Sequence, residues 1–324
     1  MRVLVTGGGG FAGRWLIREL GAHGHEAIAA PPRGELDITD ADAVLRLARD
    51  RAPDVIGHLA AVAFGPDARR DPDRATAVNV GGTEAVVRAA AQIGAGVLLV
   101  SSSEVYGPPD PADLPLDEAA PLRAEQPYGR SKIAAEAVAR EIVARAAAGT
   151  VRLAIVRPFN HTGPGQRREF VVPALAERIL AAREAGASTI RVGNVDVRRD
   201  FSDVRDVVAA YRLVLERLAG GDVEDGEVPV FNVASERSAS IREIAVALAA
   251  EAGIAIGFEI DPALVRASDP PEIRGDASAI RRALGWTATT PLERTLRDVL
   301  ADVTASARAT ARPDPAGRAP VPPG

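Results

Sequence analysis

Midway along the chain a phenol and an ammonium stand four residues apart, in Tyr128-Gly129-Arg130-Ser131-Lys132. At the start of a helix that spacing puts both on one face, about one turn apart. A phenol loses its proton near pH ~10 and a neighbouring ammonium favours the phenolate, so the pair suits proton exchange with a reacting oxygen near neutral pH. Upstream, Ser101-Ser102-Ser103-Glu104-Val105-Tyr106-Gly107 supplies hydroxyls and a carboxylate, and Ser102 could hydrogen-bond the same oxygen. A Tyr-x-x-x-Lys pair arises by chance in many sequences. Here, however, every one of the 39 basic residues except Lys132 is arginine. Genomic base composition can account for that bias, and it still leaves the one lysine conspicuous.

A second chemical feature lies at the N-terminus. Thr6-Gly7-Gly8-Gly9-Gly10-Phe11-Ala12-Gly13 follows a strand-like run and opens a helical one. Glycines at 7, 10 and 13 permit a tight turn and a close backbone approach to a pyrophosphate, and the helix N-terminus adds free N–H donors and partial positive charge. A plain Gly-rich loop is the competing reading, which the strand-before, helix-after context disfavours. A coenzyme held there would bring a nicotinamide to Tyr128 and Lys132, with Lys132 also holding its ribose. Selection of NAD usually needs an acid at the end of the second strand, but Ala30-Pro31-Pro32-Arg33 has none. Arg33 or Arg14 could instead pair with a 2′-phosphate. NADPH is therefore expected, with NADH as the alternative.

These residues need elements to position them. Strand and helix patterns alternate over Arg2 to Thr6, Phe11 to Ala22, Glu26 to Ala30, Ala41 to Arg51 and Asp54 to Leu59. A long helix around Ala75 to Ile93, the strand Gly96 to Ser101, a helix over Ser131 to Ala148 and the strand Val151 to Arg157 continue the series. Repeated βαβ predicts an α/β fold with a doubly wound, Rossmann-type parallel sheet, the Ser cluster lying at its C-terminal edge where ligands bind. Beyond about residue 160, Gly and Pro breaks and shorter helices at Val171 to Glu184 and Val204 to Leu218 predict a smaller α/β substrate lobe that crosses back to the first. The expected division is 1–160 for the dinucleotide, 161–304 mainly for substrate, and a disordered Ala/Arg/Pro/Gly tail over 305–324.

Composition narrows the classes. At 324 residues and 47% apolar content the chain can bury a sizeable core without staples. It has no cysteine, which excludes disulfides, thiolate metal sites and thiol nucleophiles and suits a reducing cytoplasm. His23, His25, His58 and His161 lack metal-site spacing, so no metal is expected. A formal charge of −5 argues against nucleic-acid binding. No apolar run is long enough to span a membrane, and Met1-Arg2-Val3-Leu4-Val5 is no export signal.

The loop spacing and the Ser/Tyr/Lys set resemble the short-chain dehydrogenase/reductase superfamily in its extended form. That resemblance implies coenzyme contacts at Gly7, Gly10, Phe11, Ala12, Gly13, Arg33, Asp37, Ile38, Leu59, Ala60, Ala61 and Asn79. Capping a helix that begins near Asp40 is the alternative role for Asp37, and Asn79 and His58 have purely structural alternatives. The runs Phe159-Asn160-His161-Thr162-Gly163-Pro164-Gly165-Gln166, Phe170-Val171-Val172-Pro173 and Val192-Gly193-Asn194-Val195-Asp196-Val197-Arg198-Arg199-Asp200-Phe201 resemble bacterial GDP-6-deoxy-D-mannose reductases. This implies reduction of GDP-4-keto-6-deoxy-D-mannose to GDP-D-rhamnose, with Asn160, Arg199 and Arg266 on the diphosphate and Ser103 and Val171 also on the substrate side. It further implies a homodimer built from the helices near 75–93 and 131–148. Glu104 keeps a 4,6-dehydratase reading open, since a carboxylate two residues beyond the catalytic Ser/Thr moves the C5 proton in such enzymes. A 4-epimerase and a non-catalytic dinucleotide-binding regulator are the other readings. An epimerase/reductase of the fucose type is disfavoured because its cysteine is absent.

Overall fold

The computed structural model describes residues 1–311 apart from 148, 225 and 266–268. Its first half runs β1 (Arg2–Thr6), α1 (Phe11–Ala22), β2 (Glu26–Ala29), α2 (Ala41–Arg51), β3 (Val55–His58), α3 (Gly65–Arg70), α4 (Pro72–Thr76), α5 (Gly82–Ile93), β4 (Gly96–Val100), α6 (Pro127–Arg145) and β5 (Arg152–Pro158). After β6 (Asn160–Thr162) come α7 (Val171–Ala185), β7 (Thr189–Val192), β8 (Arg198–Asp203), α8 (Val204–Gly220) and β9 (Val230–Val233). The chain then forms β10 (Ser238–Ser240), α9 (Ile241–Glu251), β11 (Gly257–Ile260), β12 (Glu272–Ile273), α10 (Ser278–Leu284) and α11 (Leu292–Ala311).

Six parallel strands make the main sheet in the order β2-β1-β3-β4-β5-β9. Strand residues alternate between two cores, as a pleated backbone requires. Val3, Val5, Leu98, Ala154 and Val156 pack with α1 and α8, whereas Leu4, Val97, Leu99, Leu153 and Ile155 pack with α2, α5 and α6. Both faces are thereby covered, and the near-continuous apolar runs of β4 and β5 follow from that. The second half is not a detached lobe, because α8 lies against α1 under the main sheet and β9 extends it beside β5. A separate core joins α7, α9 and α11 to the short strands β7 and β8.

Two expectations change. The long helix around Ala75 to Ile93 is interrupted: α4 ends at Thr76, residues Ala77–Gly81 form a π turn, and only then does α5 begin. Apolar spacing does not reveal one inserted residue, because the backbone stays helical through it. The expected tail does not start at Ala305, since α11 continues to Ala311. Its Ala/Ser/Arg/Thr sequence lacks the glycine or proline that would stop it. The rest of the expected tail, 312–324, lies outside the described residues. No described helix is long and apolar enough to cross a membrane.

Candidate active site

The loop between β1 and α1 is tight for a stated reason at two glycines. Gly7 has φ +70°, and a Cβ on it would sit 2.8 Å from the amide nitrogen of Ala60. A Cβ on Gly13 would lie 2.2 Å from the carbonyl oxygen of Gly7. Gly9 differs: a Cβ there would meet nothing within 4 Å, because it faces the cleft. α1 follows Gly10 as its N-cap, with no side-chain cap and no acid in its first turn, so its first N–H donors are available to an anion. These features fit a dinucleotide pyrophosphate.

Beneath the loop a one-directional chain of hydrogen bonds ties three elements together. Thr83 Oγ1 donates to the Asn79 carbonyl at 2.6 Å, so it must accept from His58 Nε2, 3.2 Å away. His58 Nδ1 is then unprotonated and accepts from Thr6 Oγ1 at 2.7 Å, while Ala60 N–H donates to Thr6 Oγ1. Burial, with the Lys132 charge adding to it, holds the imidazole pKa down to about 3. His58 is therefore a neutral structural histidine.

Gly7, Gly10, Phe11, Ala12, Gly13, Arg33, Asp37, Ile38, Leu59, Ala60 and Ala61 all line one large cleft of about 1800 Å³. Asp40, not Asp37, caps α2 by accepting from Ala43 N–H. Asp37 accepts from Thr39 N–H and Oγ1, and these bonds hold its carboxyl below the usual range. Arg14 is directed to the carbonyls of Gly9 and Gly165, which leaves Arg33 as the guanidinium beside the acid-free end of β2. Asn79 has the partners expected of its structural alternative. It is 1% exposed, does not line the cleft, and spends its amide on Val62 N–H, the Val62 carbonyl and Ser131 Oγ. Because Ser131 Oγ donates to the Tyr128 carbonyl, Asn79 braces the first turn of α6.

Ser102, Ser103, Glu104, Tyr128 and Lys132 converge on the same cleft. Ser102 lies two residues beyond β4 and accepts from Glu104 N–H, opening the turn Ser103–Tyr106. Tyr128 and Lys132 share the buried face of α6. The expected lowering of the phenol pKa is not found. Burial pushes Tyr128 well above its ordinary value, the Glu104 charge adds to the rise, and a hydrogen bond with Ser102 opposes it. Lys132 Nζ donates 2.9 Å to the Val100 carbonyl, and burial brings its pKa down to about 8 against the pull of Glu136. Helical spacing could not show how deeply the phenol is buried or that Glu104 acts on it.

Sequence reasoning also missed the group that holds this face. Glu136, one turn beyond Lys132, accepts from Ser101 Oγ at 2.5 Å and forms a buried ion pair with Arg157 at 2.7 Å. Arg157 also donates to Tyr106 Oη, which itself donates to Asn232 on β9. The i, i+4 spacing of Lys132 and Glu136 was the available signal.

On the second-half side the cleft wall includes Asn160 at the start of β6, Val171 at the start of α7, and Arg199 on β8. The Arg199 guanidinium is engaged by the Asp269 carboxylate and the Pro270 carbonyl. Arg266 lies outside the described residues. Phe11 and His161 stack with centroids 6.0 Å apart, joining the loop to this wall.

Comparison with known proteins follows the same outline. The profile of the NAD dependent epimerase/dehydratase family matches residues 3–234. A GDP-6-deoxy-D-mannose reductase of Pseudomonas aeruginosa is 33% identical over 304 residues, covering 93% of this chain and 96% of its own. A UDP-glucose 4-epimerase of Lactobacillus helveticus is 29% identical, covering 93% of this chain and 95% of its own. A solved structure of RMD from Pseudomonas aeruginosa complexed with NADPH has a TM-score of 0.83 at 32% identity, over 94% of this chain and 99% of that one.

Proposed function

The chain belongs to the NAD dependent epimerase/dehydratase family, and on that premise we propose that it reduces the 4-keto group of GDP-4-keto-6-deoxy-D-mannose to give GDP-D-rhamnose. The observation that carries this reading is the convergence of Ser102, Tyr128 and Lys132 on one cleft, with the phenol buried so that its protonated form is favoured. A reductase needs a proton to give, whereas an epimerase or dehydratase that begins by oxidising the sugar needs a base. The 33% identity to a GDP-6-deoxy-D-mannose reductase supports the same direction and the guanine nucleotide.

In this reading residues 1–160 hold the coenzyme and 161–304 mainly grip the nucleotide sugar. When bound, the reduced nicotinamide supplies the hydride. Tyr128 delivers its proton to the oxygen that becomes the C4 hydroxyl, and Ser102 stabilises the charge growing on that oxygen. Lys132, anchored by one N–H on Val100, offers its remaining donors to the coenzyme ribose and favours the phenolate left behind. Gly7, Gly10, Phe11, Ala12 and Gly13 cradle the pyrophosphate, while Asp37 and Ile38 face the adenosine. Arg33 pairs with a 2′-phosphate, which favours NADPH over NADH. Ser103, Asn160, Val171, Arg199 and Arg266 hold the sugar nucleotide, and Arg199 exchanges Asp269 for a phosphate oxygen.

A homodimer belongs to this reading. Arg130, Ala134, Ala137, Glu141 and Ala144 form an exposed stripe on α6 at alternating four- and three-residue steps. Its alanines leave it flat enough to take a second helix closely.

The test is to mix the protein with NADPH and GDP-4-keto-6-deoxy-D-mannose, follow the reduced nicotinamide by absorbance, and identify the sugar. NADPH consumption with GDP-D-rhamnose formed is the expected result. The exposed Glu104 carboxylate beside Tyr128 supports one second reading, a 4,6-dehydratase. Release of a 4-keto sugar from GDP-mannose or from a dTDP- or UDP-hexose, without net NADPH use, would replace the reductase by that enzyme.

A further inference from the structure

Tyr211, on α8, has no exposed surface, and its phenol oxygen has no hydrogen-bond partner among the described residues. The packing of α8 fixes its level in the molecule. Farther along the helix, Leu215 reaches Gly57 near the end of β3, and Leu218 reaches Gly96 at the start of β4. α8 therefore runs opposite to the strands. One turn before Leu215 is about 5.4 Å, or between one and two strand residues, toward the C-terminal ends. That places Tyr211 at the level of Leu59 and Val100, where it forms part of the cleft floor. It is on the opposite side of the sheet from α6, yet close enough for its phenol to feel that of Tyr128.

A phenylalanine would fill the same space without an unpaired oxygen. In the ligand-free protein the hydroxyl is a buried polar group lacking a hydrogen bond, which opposes folding. A hydrogen-bond partner arriving at this end of the cleft would offset it. We infer that Tyr211 is a positioning residue for the nicotinamide end of the coenzyme, its hydroxyl gaining a partner from that half of the dinucleotide or from a water trapped beneath it. α8 packs on β3, β4 and β5, whereas Arg33 and Asp37 follow β2, so the adenosine half is held elsewhere. The inference rests on the nicotinamide coenzyme and not on which sugar is reduced.

The test is Tyr211→Phe, with two binding constants and one melting temperature. NADPH is compared with 2′-phospho-ADP-ribose, which carries a hydroxyl in place of the nicotinamide. The expected result is NADPH binding weaker by roughly fivefold to tenfold, unchanged binding of 2′-phospho-ADP-ribose, and a ligand-free melting temperature equal to or above wild type. Unchanged NADPH affinity overturns the inference, as does equal weakening of both ligands. Wild-type protein that binds NADPH yet reduces no 4-keto sugar would sink the proposed reaction and leave this comparison intact.

Discussion

At Tyr128 burial and the Glu104 charge both favour the protonated phenol, and the Ser102 hydroxyl opposes them only in part. Tyr128→Phe is expected to lower turnover about 10²- to 10⁴-fold, the usual worth of a positioned acid, while the NADPH dissociation constant stays within about twofold; stopped-flow and binding titrations separate the two. Lys132 sets the alkaline limit. Its ammonium is lost as pH rises through about 8, so kcat/KM should fall above that pH with a slope approaching one proton. Stability moves the other way for this group. A base with a lowered folded pKa disfavours folding while charged, and that penalty is relieved between about 8 and the ordinary 10.5. Activity lost over that window through Lys132 should therefore appear in the pH–rate profile without a matching drop in melting temperature. A flat profile from pH 7 to 9 would remove Lys132 from the mechanism.

The loop between β1 and α1 separates two roles that its glycines could play. Gly13→Ala forces a Cβ against the Gly7 carbonyl and should cost about 1–3 kcal/mol by chemical denaturation, in line with overpacking. Gly9→Ala points into open cleft, so its melting temperature should match wild type while NADPH affinity drops about tenfold or more. If both variants only lose stability, the loop is a packing turn and not a phosphate cradle. The loop, the strands and most helices were legible because their signals are local: glycine at a turn, a short apolar run, period 3.6. The π turn at Ala77–Gly81 was not, and neither were the bonds that Asn79 within it makes to Val62 and Ser131. For Asp37 the sequence allows capping of α2 as one of two roles, and only geometry shows that Asp40 does it. The Glu136–Arg157 pair joins residues from different elements, so no local pattern marks it. Removing one partner, as in Glu136→Gln, should cost about 3–5 kcal/mol, read by denaturant titration.

For the molecule as a whole, the alanine stripe on α6 carries a prediction about mass. Sedimentation equilibrium should return twice the chain mass, and Ala137→Glu, which sets like charges facing one another across a seam, should shift it toward one chain. An unchanged mass for that variant would place any self-association on another surface. The path of the chain has a separate effect on how the protein comes into being. The main sheet is not finished by the segment that begins it: β5 gains its outer neighbour, β9, only from Val230–Val233. A ribosome must therefore make some seventy further residues after β5 before that edge is covered. Until then the apolar strand Leu153-Ala154-Ile155-Val156 presents unpaired backbone groups to any other extended chain. A fragment ending at residue 160 should accordingly accumulate as insoluble material on expression, and nascent chains of intermediate length should be the ones that chaperones retain.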